Sequence, residues 1–421
     1  MKPKVVYNEI YYISIFCYIG GLMNSSFYYL WSNISISKLA LSLFTMTMTL
    51  SIYKLSNSAT LSPLVMFVYV IGKFFSSFVF PFISEKYPLQ KILKRSMFLQ
   101  IVILFAVYIL LNKATIHSIL FLIFLLIWIA GFVDGFSSPS RMALIPTTVT
   151  EYKLGRANSL ISTTDQVFSL IGWSVGAVLL NRYGQLLILL VSIILLCISF
   201  ITSIQIKANS ITYSATKLKW ATFKSGWTML FNPRNNLRTI TNMDILEGVA
   251  SGIWIGGITL VFVKEVLNKG EQWWGFINTG YFIGSIAGGM LIMLFSHKVQ
   301  TNPFRAIMIG SFFVSFLVFL YALNKIAVIA ILLVILMGPF YQLRDIAQQV
   351  FIQKQLREES LAKLYAAKDN LYYLVFTFSV FITGLISDYF GVIFVYYFAG
   401  LLYLASSFYA YALFKRAKSV T

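Results

Sequence analysis

Long apolar runs follow one another along nearly the whole chain, separated by short polar connectors. A helix rises 1.5 Å per residue, so about 20 predominantly apolar residues cross the roughly 30 Å hydrocarbon layer of a bilayer. Twelve runs fit: 31–54, 60–84, 96–112, 117–142, 157–180, 186–206, 239–263, 273–295, 304–324, 326–345, 364–388 and 391–413. The third is short and borrows from its flanks. Aromatic residues crowd many run ends, as with Tyr28, Tyr29 and Trp31, or Trp273 and Trp274. Amphipathic rings favour the headgroup zone.

The connectors test this division. Taken alternately, one set carries 20 basic residues: Lys86, Lys91, Lys94 and Arg95; Lys153 and Arg156; Lys207, Lys217, Lys219, Lys224, Arg234 and Arg238; Lys298 and Arg305; Lys354, Arg357 and Lys363; Lys415, Arg416 and Lys418. The other set carries 6: Lys54, Lys113, Arg182, Lys264, Lys269 and Lys325. The positive-inside rule places the first set in the cytoplasm, with both ends of the twelve-helix body. One missed or invented helix would scramble the alternation.

The longest polar stretch divides the body into a six-helix bundle over 31–206, a cytoplasmic connector over 207–238, a second bundle over 239–413 and a cytoplasmic tail over 414–421. In the connector, Trp220, Phe223, Trp227 and Phe231 recur at spacings of three and four. That suits a helix on the inner leaflet or a plain connecting helix. At a constant offset of 207, Gly131 meets Gly338, Leu154 meets Leu361, Arg156 meets Lys363 and Gly184 meets Gly391. The halves therefore read as pseudo-repeats. Residues 1–30 form an N-terminal extension. Its uncharged stretch 10–31 reads as interfacial rather than as a thirteenth span, with Met23 as an alternative start; no A-x-A cleavage site follows it.

Composition agrees. The chain is 58% hydrophobic and 11% charged, with a mean hydropathy of +0.79. A soluble domain keeps about a quarter of its residues charged, so lipid must solvate most of this surface. The net charge of +19 sits in short clusters between apolar runs rather than on one polar face, which argues against nucleic acid. Cys17, Cys197, His117 and His297 are isolated and suggest neither a metal site nor a cofactor. The sequence has no Walker loop and no nucleophile elbow, so neither ATP-driven transport within this chain nor an enzyme is expected.

Charges inside a membrane helix cost about 2.5–3.5 kcal/mol each on insertion scales and persist where they pair or line water. Here they are Lys73, Asp134, Arg141, Asp165, Asp244, Glu247, Arg344, Asp345, Lys368 and Asp369. They gather in the cytoplasmic half. This predicts a polar vestibule opening inward, behind a thinner apolar outer gate. Lys73, Asp165, Asp244, Glu247, Lys368 and Asp369 are candidates to hold solute or proton. Glu85, Lys86, Asp134, Arg141, Arg344 and Asp345 are candidates for a cytoplasmic gate near the inner surface. The alternative is that these residues only close the inner side as salt bridges or snorkel to the surface. Asp165 and Glu247 lie deepest among the acids, and a partly buried carboxylate that takes and releases a proton is the physical basis of antiport. Glycines at intervals of four (Gly172 and Gly176; Gly248, Gly252 and Gly256; Gly280, Gly284 and Gly288) mark close helix contacts.

Several stretches carry a family resemblance: "SIYKLSNSAT" at 51–60, "SSPSRMALIPTTVTEYKLGRANSLISTT" at 137–164, "FNPRNNLRTI" at 231–240 and "LISDYFG" at 385–391. With the six-plus-six division, they resemble the major facilitator superfamily, and within it the branch of enterobactin exporters and macrolide efflux proteins. The superfamily's loop 2–3 motif reads here "PFISEKYPLQKILKR", with Pro81 and Pro88 in place of glycines. Its helix-five antiporter motif keeps Gly172, Gly176 and Ala177 but has Trp173 in place of proline. The resemblance implies an all-α membrane protein of twelve transmembrane helices. It further implies a monomeric, multi-pass secondary transporter of the cell membrane, with a small molecule, protons and the lipid bilayer as its partners and no cofactor. The solute implied is a small polar metal chelator, such as a siderophore or an opine-type metallophore like staphylopine. The alternative is macrolide or multidrug efflux, and a non-transporting receptor or scaffold is a third class.

Overall fold

The structure is a computed structural model, and it describes residues 23–56, 61–113, 116–207, 220–232, 236–254 and 256–418. Among these residues the elements are α-helices and short 3-10 turns. In chain order the helices are α1 (Ser25–Ser56), α2 (Leu61–Ser84), α3 (Leu89–Lys113), α4 (Ile116–Asp134), α5 (Ser137–Thr148), α6 (Leu154–Tyr183), α7 (Gln185–Ile204), α8 (Trp220–Phe231), α9 (Asn236–Ala250), α10 (Gly256–Glu265), α11 (Gln272–Leu294), α12 (Ser296–Thr301), α13 (Pro303–Leu323), α14 (Ala327–Gln355), α15 (Glu358–Phe390) and α16 (Val392–Lys418).

Taken as rods, α4 with α5 and α9 with α10 each make one broken passage, which gives two groups of six around the connector helix α8. Among the described residues, ten helices are long and apolar enough to span a membrane, and eleven if α9 and α10 count as one span. The remaining rod, α6, is 30 residues long but carries Asn158, Ser159, Ser162, Thr163, Thr164 and Asp165 in its first half. Its polarity has a use: Asn158 bonds Gln353 at 2.6 Å and Ser162 donates to Gln342 at 2.7 Å, both in the other half.

The boundaries differ from the sequence expectation in three places. The first helix begins at Ser25, so 25–30 belong to the bundle rather than to an extension; 1–22 lie outside the described residues. The fourth run breaks at Gly135, and the seventh breaks around the turn Ser251–Trp254. The connector helix packs on protein rather than lying free on lipid. Phe223 stacks on Phe78 with ring centroids 5.5 Å apart, and a Cβ at Gly226 would sit 2.4 Å from the Lys363 carbonyl oxygen.

The offset of 207 has a structural meaning at two glycine pairs. Gly184 and Gly391 both have φ in the left-handed region, +80° and +89°, and each turns the chain from the fifth rod of its half into the sixth. Gly lacks the Cβ that makes such a turn costly. At Gly131 an added Cβ would meet the Tyr69 carbonyl oxygen at 2.0 Å, and at Gly338 the Gly284 carbonyl carbon at 2.1 Å. In both halves, therefore, the fourth rod touches the second backbone to backbone, as small residues permit in lipid. Gly338→Val is expected to cost about 1–3 kcal/mol by overpacking and to lower the thermal unfolding midpoint in detergent; an unchanged midpoint would mean that the two helices can separate freely.

Buried apolar side chains place the joint between the halves. One large cluster runs across both, with Leu93, Leu144 and Ile145 against Val350, Leu361 and Leu364. It lies at the end that bears the basic connectors, here the basic end. Toward the opposite end the cores separate. One, around Phe44, Ile127 and Leu196, belongs wholly to the first half. Another, around Phe262, Tyr321 and Tyr396, belongs wholly to the second.

Candidate functional site

The polar links between halves follow the same division. Lys363 reaches Glu85 at 2.9 Å and Lys354 reaches Glu151 at 3.3 Å. Ser77 donates to Asn370 at 2.6 Å, and Ser138 hydrogen-bonds Asp369. Thr163 of α6 sits against Gly289 of α11, where a Cβ would lie 2.1 Å from its hydroxyl. These contacts all lie toward the basic end. The vestibule expected to open at that end is therefore closed there. The physical reason is that shared apolar burial and inter-half bonds fill the space that a vestibule would need.

A cavity of about 910 Å³ lies instead within the second half, and Met66 of the first half also lines it. It begins near Trp254 and Asn278, toward the end opposite the basic connectors, and descends to Asp244, Arg344 and Gln348. Arg344 dominates its floor. Its guanidinium pairs with Glu247 and contacts Asp345 at 2.5 Å, and it lies 5.4 Å from the centre of the Tyr341 ring. Glu247 also accepts a hydrogen bond from Ser406. Lys368 pairs with Asp244 at 2.9 Å, and both side chains are about a quarter exposed. The wall above is a chain of aromatic donors: Trp254 Nε1 donates to the Tyr341 hydroxyl at 3.1 Å, and that hydroxyl donates to Tyr403 at 2.7 Å. A buried ring with a polar tip needs such a partner.

Of the gate candidates, Glu85 makes an inter-half bond and Lys86 is exposed. Arg344 and Asp345 lie in the cavity, about 15 Å from the end of α14 by helical rise, rather than at the inner surface. Asp134 and Arg141 lie inside the first half. Asp134 pairs with Lys73 at 2.8 Å and accepts from Tyr69 at 2.9 Å and Gln100 at 3.1 Å. Arg141 donates to Asn33 at 3.0 Å and Ser37 at 2.6 Å. Each has found a polar partner within its own bundle, which removes the reason for it to reach the surface.

Of the solute or proton candidates, Asp244, Glu247 and Lys368 come together in the cavity. Lys73 is bound to Asp134, and Asp369 faces the first half. Asp165 stands apart in α6. Its Oδ1 is buried without a hydrogen-bond partner among the described residues, and the cations that face it are Lys38, Arg141 and Lys73. Lys38, inside the first run, is missing from the in-span charges read from the sequence. The aromatic wall escapes a search confined to charges; tyrosines mid-run, such as Tyr341, Tyr372 and Tyr403, are the signal that could have found it.

The sequence model of the Major Facilitator Superfamily matches residues 30–367. The chain belongs to this superfamily. Its relatives include the MFS-type transporter YfmI of Bacillus subtilis strain 168, 33% identical over 401 residues, with 94% of this chain and 98% of that protein covered. YjbB of the same organism is 29% identical over 388 residues, covering 91% and 94%. Both carry the description "uncharacterized MFS-type transporter". Among solved structures, a bacterial homologue of the iron transporter ferroportin, in an outward-facing state, superimposes with a TM-score of 0.78 at 11% identity, covering 92% of this chain and 99% of that one. The Escherichia coli fucose:proton symporter FucP gives 0.72 at 14%, covering 92% and 98%. At these identities the likeness concerns fold. This superfamily member is thus a multi-pass membrane transporter built as two six-helix halves, and its cavity lies within the second half, edged by Met66 of the first.

Proposed function

We propose that the protein sits in the cell membrane with its basic end in the cytoplasm and exports a small polar metal chelator, a siderophore or an opine-type metallophore, in exchange for protons. The observation that carries the solute class is the cavity floor. Two cations, Arg344 and Lys368, are each held by carboxylates, Glu247 with Asp345 and Asp244. A zwitterionic, carboxylate-rich solute can trade places with either partner. Its carboxylates take the guanidinium and ammonium, and its amines take the released acids, through charge-assisted hydrogen bonds. Asp165, with its unpartnered oxygen in the other half, is the proton carrier in this reading. It can be protonated and deprotonated without dismantling an ion pair in the cavity.

A second reading, macrolide or multidrug efflux, draws on the same cavity's aromatic wall of Trp254, Tyr281, Phe282, Tyr372 and Phe376. The two separate on what cells with and without the gene release into iron- and zinc-limited medium. Loss of a chelator from the medium supports the first. An unchanged chelator with new drug sensitivity replaces it with the second.

A further inference from the structure

A second cleft, of about 420 Å³, lies on the outside of the first half, where α3 and α7 meet near the basic end. It is lined by Lys94, Arg95, Phe98, Leu99 and Phe200. Transport through the cavity makes no use of it. Lys94 is half-buried and Arg95 is exposed over the Tyr87 ring, 4.7 Å from its centre. Neither has a carboxylate partner among the described residues. The floor is wholly apolar: Phe98 packs against Phe200 with ring centroids 6.2 Å apart, and Phe98 and Leu99 are 54% and 47% exposed. The apolar surface continues down both helices through Val102 and Ile201. Two cations without counter-ions among the described residues thus crown a groove that faces the acyl chains.

The geometry points to a site for one anionic phospholipid, its phosphate between Lys94 and Arg95 and the start of an acyl chain against Phe98, Leu99 and Phe200. Three features favour this occupant. The cations lie about 8–9 Å along α3 by helical rise, at headgroup depth for a helix that spans the bilayer. Basic pockets between helices on the cytoplasmic side suit acidic headgroups. α3 also contains no acidic residue, and Lys91 adds a third positive charge at its start, so no anion of this helix offsets Lys94 and Arg95. A bound phosphate supplies that anion. A soluble anion would leave Phe98 and Leu99 uncovered, whereas a diacyl lipid covers both parts of the cleft.

The test uses the full-length protein in nanodiscs of phosphatidylcholine doped with a photoreactive phosphatidylglycerol. Crosslinked peptides are mapped, and the bound lipid is counted by native mass spectrometry. The expected result is crosslinking to the segments around Phe98 and Phe200. In Lys94→Gln/Arg95→Gln, retention of phosphatidylglycerol should fall roughly 25-fold, since each basic side chain near a membrane surface contributes about fivefold. Lys94→Arg/Arg95→Lys should keep it and shows that charge is what the lipid reads. Equal retention of phosphatidylcholine and phosphatidylglycerol, crosslinks confined to other helices, or competition by inorganic phosphate alone would each overturn the assignment. If the glutamine variant does not fold, the crosslink map of the unsubstituted protein decides.

Discussion

Arg344→Met is expected to impair transport strongly and to destabilise the protein by about 3–5 kcal/mol, because removing one partner of a buried ion pair leaves the other charge uncompensated. Glu247 is 6% exposed and would keep only the Ser406 hydroxyl, while Asp345 would lose its guanidinium contact. Methionine keeps most of the volume, so the effect reads charge rather than a void. Transport should fall further than stability explains. One charge-assisted contact to solute contributes about 1.5–3 kcal/mol, or roughly 10–100-fold in affinity. The double variant Glu247→Gln/Arg344→Met separates the two effects. Its unfolding midpoint should recover most of the loss, and its transport should not return. If the double variant transports normally, this ion pair is a structural brace and the cavity floor does not bind solute.

Lys73→Met is the second large effect, about 3–5 kcal/mol by the same reasoning, and it acts in the first half. Asp134 is 6% exposed and would retain Tyr69 and Gln100 but no cation at bonding distance. The Lys73–Asp134 pair acts as a brace within the first half. Lys73→Met/Asp134→Leu should therefore recover stability, since replacing both members of a buried pair by apolar residues is often neutral or favourable. It should also retain solute binding in the second half, measured by solute protection of a cavity cysteine from a thiol reagent. Loss of that protection in a well-folded double variant would show that the first half helps to hold the solute.

Much of this architecture was legible in the sequence because lipid imposes it. A run of about 20 apolar residues has few ways to satisfy its backbone other than as a spanning helix. The alternation of basic connectors then fixes the number of passages. Even sparse internal matches had content, since Gly184 and Gly391 mark one turn used twice and Gly131 and Gly338 one helix contact used twice. The site was legible as a set of costly charges but not as an arrangement. Which cation meets which acid depends on packing between helices far apart in sequence, so Arg344 reads equally well as a gate or as a cavity floor until α9 is placed beside it. The open end was not legible either. Apolarity along each helix is similar in both conformations of a two-half transporter, and only the joining of Leu144 with Val350, or Glu85 with Lys363, reveals which end is shut. The aromatic wall was not legible for another reason: a tyrosine in a membrane helix counts as apolar until its hydroxyl finds a partner.

Thiol labelling decides which end of the cavity is open and on which side of the membrane it lies. A single cysteine at Asn278, on the cavity wall, and another at Lys354, in the basic-end lock, are introduced into a Cys17→Ser/Cys197→Ser background and exposed to a membrane-impermeant maleimide. Asn278→Cys should react from outside intact cells, and Lys354→Cys only in inside-out vesicles. Labelling of Lys354→Cys from outside, with Asn278→Cys inert there, would contradict both the orientation and the direction in which the cavity opens.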